Sequence, residues 1–136
     1  MKRVRLVAAA GLLLAAALAA GCQRGPLLLP VRGKILYHDR PLVPGSIYFN
    51  PEQPRAGDEG PGQLMASGLL HEDGSFTLRT YPHGDGAMAG AYKVTLSLGA
   101  GCPPDLAAYN VTNTTPLRIE VPPGGLNDLV IRLPLK

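Results

Sequence analysis

The sequence predicts an all-β fold, a single antiparallel sandwich of about seven short strands. Three observations carry it. Apolar and polar residues alternate with period two in run after run between Val31 and Leu133, as half-buried strands require. No helical periodicity follows the first 22 residues. Parallel strands need long crossovers, usually helices, and none is visible, so an antiparallel arrangement of two facing layers is expected.

The strands are expected in this order. Val31, Gly33, Ile35 and Tyr37 alternate with Arg32, Lys34, Leu36 and His38, and His38-Asp39-Arg40-Pro41 makes a turn. Ser46 to Asn50 is a second strand burying Ile47 and Phe49. Pro51 to Gly62 holds three prolines and three glycines and reads as a loop. Met65–Leu70 and Ser75–Arg79 flank His71-Glu72-Asp73-Gly74, a hairpin signal, because Asp-Gly suits the positive backbone angles of tight turns. Phe76 and Leu78 face inward there. Tyr81 to Gly90 is a loop. Ala91 to Leu98 is the clearest strand, with Tyr92, Val94, Leu96 and Leu98 on one face. Gly99 to Thr114 is a long polar connection. Leu117, Ile119 and Val121 lie on the inner face of the next strand. Pro122-Pro123-Gly124-Gly125 turns the chain into a last strand with Leu129, Ile131 and Leu133 inward. There is no Trp, so Val, Ile and Leu must supply most of the buried area.

The amino-terminal segment is a different kind of sequence. Met1-Lys2-Arg3-Val4-Arg5 is basic, Leu6 to Ala20 is an uncharged Leu/Ala run, and small residues lead into Cys22. The run is about 15 residues long, short of the roughly 20 that span a bilayer, and its flanks fit a cleaved secretory signal. The expected organisation is therefore a signal peptide over 1–21, Cys22 and a tether over 22–30, and a sandwich over 31–136. Leu27-Leu28-Leu29 makes the tether apolar, so it either packs on the domain or rests near a lipid surface.

Lys2, Arg3 and Arg5 carry all of the excess charge of +3. From Cys22 on, ten basic residues balance ten acidic ones, so the pI of about 9.1 describes the precursor. No basic patch points to nucleic acid, and no polybasic segment to anionic lipid. The 115 residues that remain are enough for one domain. Of these, 29 are Gly or Pro, which fall between apolar runs and act as turn punctuation.

The end of the leader, Leu18-Ala19-Ala20-Gly21-Cys22, resembles a bacterial lipobox, with Ala19 where Leu is usual. The resemblance implies cleavage before Cys22 and a diacylglyceryl anchor on its sulfur. Ordinary cleavage after Ala17-Leu18-Ala19 is the alternative. Gln23 after the cysteine, in place of Asp, points by resemblance to the outer membrane.

Pro30-Val31-Arg32-Gly33-Lys34-Ile35-Leu36-Tyr37-His38-Asp39-Arg40-Pro41-Leu42-Val43-Pro44-Gly45 resembles the V-x-G-x-V-x-x-x-G-x-P-L-x-G-A opening of carboxypeptidase regulatory-like domains. Glu72-Asp73-Gly74-Ser75-Phe76-Thr77-Leu78 is similar to that family's T-D-x-D-G-x-F-x-L block, and Gly90-Ala91-Tyr92-Lys93-Val94-Thr95-Leu96 to its P-G-x-Y-x-V-x-V. The turn at Pro122–Gly125 resembles small lipoproteins of this type. The resemblance implies a seven-stranded, transthyretin-like or immunoglobulin-type sandwich with no active site.

The chemistry-bearing residues give little beyond that. His38, His71 and His83 all sit at expected turns, without the converging spacing a zinc site needs. Glu72, Asp73 and Asp85 lack the ligand pattern of a calcium loop. Ser46, Ser67, Ser75 and Ser97 lie in strands, outside any Gly-x-Ser-x-Gly. No cofactor, metal or small-molecule substrate is indicated, and the chain is expected not to be an enzyme. If Cys22 carries lipid, Cys102 is a free loop thiol or bonds another chain; without lipid, a Cys22–Cys102 disulfide becomes available. Asn110-Val111-Thr112 and Asn113-Thr114-Thr115 fit the glycosylation sequon, which a bacterial lipoprotein leaves bare.

The expected function is a lipid-anchored cell-envelope module with a non-catalytic binding or structural role. The membrane would be engaged through Cys22, and an envelope protein or glycan through the loops Pro51–Gly62, Tyr81–Gly90 and Gly99–Thr114. The alternative is a periplasmic binder of a small peptide or glycan, which three of Tyr37, Tyr48, Tyr81, Tyr92 and Tyr109 on one exposed face would favour. A small hydrolase is a further alternative, which a buried His–carboxylate pair beside a serine would favour.

Overall fold

A computed structural model of the chain describes residues 25–42, 44–55 and 62–135. Cys22 and the leader lie outside the described residues, as does the middle of the loop over 51–62. Among the described residues ten strands form two sheets: β1 (Val31–Tyr37), β2 (Arg40–Pro41), β3 (Ser46–Pro51), β4 (Ala66–Leu69), β5 (Ser75–Thr77), β6 (Arg79–Thr80), β7 (Gly84–Asp85), β8 (Gly90–Ser97), β9 (Arg118–Val121) and β10 (Leu126–Leu133). The first sheet runs β10-β1-β2, with β5 also on β1; the second runs β7-β6-β4-β3-β8-β9. The all-β, sandwich-like character stands.

The expected alternation sets the core. Val31 and Ile35 of β1, Ile47 and Phe49 of β3, Leu78, and Tyr92 and Val94 of β8 are fully buried in one cluster drawn from both sheets. Phe76, Leu96, Val121, Ile131 and Leu133 join them. Aromatic rings contribute more than the composition suggests. The rings of Phe49 and Tyr92 meet with centroids 5.6 Å apart and tilted by 53°, a favourable geometry for an aromatic pair.

Four expectations need correction. The sheets are not antiparallel throughout, because β1 and β10 pair in parallel, from Val31↔Leu126 to Tyr37↔Leu133. No local helix makes this crossover; the whole second sheet lies between the two strands in sequence and serves as the connection. The strand count exceeds seven because β2, β6 and β7 are two-residue pieces.

The hairpin around Asp73-Gly74 exists but is splayed. His71 N–H bonds to the Ser75 carbonyl at 2.8 Å, and Ser67 pairs with Arg79. Between these points the chain leaves β4: Ser75, Phe76 and Thr77 pair with Lys34, Gly33 and Arg32. One arm of the hairpin thus bridges both sheets. Gly68 permits this, since a Cβ there would lie only 2.7 Å from the Thr77 carbonyl oxygen.

The connection after β8 is not a simple polar loop. It forms two short 3-10 helices, Gly99–Gly101 and Pro104–Asn110. Pro104 sits at the first turn, where its missing N–H costs nothing. Leu106 and Tyr109, three positions apart, fall on one side of the three-residue turn and are buried in the core.

The tether packs in part. Leu29 N–H and C=O both bond to Ala87, at 2.8 and 2.9 Å, so Tyr81–Gly90 is a docking strap for it and not only a loop. Leu27 is left 77% exposed.

Candidate functional site

The outer face of the six-stranded sheet carries the best-formed site. On β3 the residues alternating with Ile47 and Phe49 are Ser46, Tyr48 and Asn50, which point away from the core and stay half-buried. Tyr48 lies directly opposite Ser67 on β4 and Thr95 on β8. Ser67 in turn faces Arg79, and Arg79 faces Asp85. Five strands therefore place Asp85, Arg79, Ser67, Tyr48 and Thr95 in one row across the sheet. Tyr81, just beyond β6, and Leu69, at the end of β4, stand beside the row and are 83% and 70% exposed.

All of these but Thr95 line an open groove of about 480 Å³, with Ser46, Gly68, His71 and Thr77 completing it. That size falls within the roughly 300–1,000 Å³ of small-ligand sites. The ion pairs among the described residues are His38–Asp105, Glu52–Arg118 and Asp39–Arg132, so Arg79 and Asp85 face each other without bonding. Nor do the side chains of Ser46, Tyr48, Ser67, Thr77 or Tyr81 hydrogen-bond to any described residue. The groove holds donors, acceptors, the rings of Tyr48 and Tyr81, the His71 imidazole and one permanent charge of each sign, none bonded to a described residue.

A second depression, of about 440 Å³, lies at the far end of β1 and contrasts with it. Tyr37, His38, Arg40, Leu42, Leu98 and Pro103 are among its lining residues. Here Tyr37 and His38 are already engaged, while the Arg40 side chain bonds to no described residue. The Tyr37 hydroxyl donates to the Asp105 carboxylate at 2.7 Å, and the two rings of Tyr37 and His38 meet edge-on at 4.4 Å. The hydrogen bond to Asp105 raises the Tyr37 phenol above its ordinary pKa, since it favours the protonated hydroxyl. His38 Nε2 stands 3.8 Å from the same carboxylate. This triad holds the second 3-10 helix against the end of the sheet, with Asp105 in that helix's first turn.

The remaining sequence candidates are dispersed. No group of three His, Cys, Asp or Glu able to hold a metal occurs among the described residues. Asp73 is occupied by its own turn, accepting from Ser75 N–H at 3.0 Å and Ser75 Oγ at 2.5 Å; these bonds lower its pKa. Cys102 is half-buried and forms no disulfide with a described residue. Of the five tyrosines, Tyr92 and Tyr109 are buried and Tyr37 is in the second depression. Two, Tyr48 and Tyr81, share the groove, not three. Sequence reasoning looked for partner surfaces on loops and missed the sheet face. The signal was present in the outward positions Ser46, Tyr48, Ser67 and Arg79, but their alignment depends on register across strands distant in sequence.

No family model, curated protein or solved structure matches the chain. Among the described residues no helix is long and apolar enough to cross a membrane.

Proposed function

We propose that this chain is an exported lipoprotein of the bacterial cell envelope, anchored through a diacylglyceryl group on Cys22, that acts by binding and not by catalysis. The single observation behind the binding role is the groove on the six-stranded sheet, whose polar and aromatic side chains bond to no described residue. A rigid sheet is a sound support for such a site, because paired strands hold side chains in fixed positions. The non-catalytic reading is supported by the one His–carboxylate contact among the described residues, His38–Asp105, which is exposed and carries a tyrosine where a hydrolase would need a nucleophilic serine.

The fold within this reading is the seven-stranded, transthyretin-like type. Its support is the order of the four sequence blocks and the strand count once short pieces are merged. With β5 and β6 taken as one arm broken at Leu78, and β2 and β7 set aside, seven principal strands remain. The anchor is supported by the basic start, the apolar run and the small-residue exit to Cys22, and Gln23 favours the outer membrane.

The anchor is tested by Cys22→Ser. Loss of fatty-acid labelling and release from the membrane fraction are expected; unchanged labelling and fractionation would overturn it.

A further inference from the structure

The groove's chemistry narrows its ligand class, an inference that rests on the binding role proposed above. Three properties matter. First, charge: Arg79 and Asp85 offset each other and no other Lys, Arg, Asp or Glu lines the groove, so neither a polyanion nor a polycation gains from the local field. Second, backbone: β3 is paired by β4 and β8, and β4 by β3 and β6. The groove floor over β3, β4 and β6 thus offers no free strand edge, and the sheet's edge beside it, β7, is only two residues long, too short a ladder for an extended peptide recognised by strand addition. Recognition must come from side chains.

Third, the side chains themselves. Tyr48 and Tyr81 supply flat apolar faces with polar tips. Ser46, Ser67 and Thr77 can each donate and accept, Arg79 only donates, and the Asp85 carboxylate only accepts. A ligand matching this set has an apolar face and a rim of hydroxyl groups that both donate and accept. Sugar rings have that construction. From β7 to β3 the row spans three inter-strand intervals, about 14 Å at the usual spacing of roughly 4.8 Å, which is the reach of a short oligosaccharide.

We propose that the groove binds a short neutral glycan, with sugar rings against Tyr48 and Tyr81 and their hydroxyls bonded by Ser67, Arg79 and Asp85. The second depression is a poorer candidate, because Tyr37 and Asp105 already satisfy each other.

The test uses the full-length protein in a detergent without a sugar headgroup. The chain has no Trp, so tyrosine emission can be followed directly while cellotriose, chitotriose and maltotriose are titrated in, with a panel of neutral and charged peptides alongside. Binding of at least one trisaccharide is expected. Tyr48→Ala and Arg79→Ala should each weaken it about tenfold or more, a loss of about 1.4 kcal/mol, with unfolding midpoints unchanged, and Tyr37→Phe should leave it alone. Sugar binding indifferent to Tyr48→Ala and Arg79→Ala would overturn the placement. Peptide binding that depends on Tyr48, with no sugar bound, would overturn the ligand class and leave the binding role standing. If neither sugars nor peptides bind in a Tyr48-dependent way, both fall.

Discussion

Adding one methyl group at Gly33 tests how the two ends of the domain are joined. Gly33 lies in β1 where the parallel ladder with β10 shifts register. A Cβ at this position would stand 2.6 Å from the Leu129 carbonyl oxygen, 2.9 Å from Leu129 Cβ and 2.9 Å from Phe76 Cζ. Two of these obstacles belong to a paired strand and the third to a buried ring, so none can swing aside freely. Overpacking of this kind costs about 1–3 kcal/mol. Gly33 has ordinary backbone angles, so alanine also removes unfolded-state freedom, which offsets about 0.4–1 kcal/mol. Gly33→Ala should therefore destabilise the domain by about 1–2 kcal/mol. With a urea slope of about 1–3 kcal/mol/M, the midpoint falls by roughly 1 M. Gly124→Ala is the control: nothing lies within 4 Å of its Cβ, and its midpoint should hold or rise slightly. Urea unfolding followed by far-ultraviolet circular dichroism reads both. A Gly33→Ala midpoint at or above that of the unmodified protein would refute the close passage of β10 over β1.

Two further outcomes follow from burial. Leu96 and Ile131 are 2% and 4% exposed, so Leu96→Asp or Ile131→Asp leaves an unpaired carboxylate in the core at a cost of several kcal/mol, against a total stability of about 5–15; either variant should fail to fold, and an unchanged urea midpoint would reverse the inward assignment. Tyr92 gives a pH dependence. Burial pushes its phenol from 10.0 up to about 12, and its hydroxyl donates to the Met88 carbonyl at 2.6 Å. The folded state thus favours the protonated phenol, so this contribution is whole below pH 10 and drains between about pH 10 and 12, at up to about 1.4 kcal/mol per pH unit. Over that window the midpoint of Tyr92→Phe should fall less steeply than that of the unmodified protein; parallel curves would count against the burial of the phenol.

Much of this fold is readable one strand at a time. The inward faces of β1, β3, β8 and β10 follow from alternation alone, because each side chain's exposure is set by its own strand's pleat. Asp73-Gly74 marks its turn for the same local reason. Pairing is another matter. That Ser75–Thr77 would leave Ser67's strand for Val31's depends on Gly68, whose lack of a side chain lets the crossing chain come close, and on where Phe76 finds its pocket. The parallel β1–β10 contact was hidden because its crossover is a whole sheet. Leu106 and Tyr109 looked like isolated apolar residues in a polar stretch; only the three-residue turn after Pro103-Pro104 puts them on one side. The groove has the same origin. Tyr48, Ser67 and Arg79 were each readable as outward, and the row they form exists only once three ladders fix their registers.

The pairing of β1 with β10 also governs when this domain can fold. The first sheet is incomplete until the last strand arrives, so its closure waits for nearly all of the chain and works against a large loop entropy. Topologies built on such distant contacts fold slowly, in milliseconds to seconds. As the chain leaves a ribosome the second sheet can pair first, since all of its strands precede β10, and the first sheet closes only once β10 has emerged.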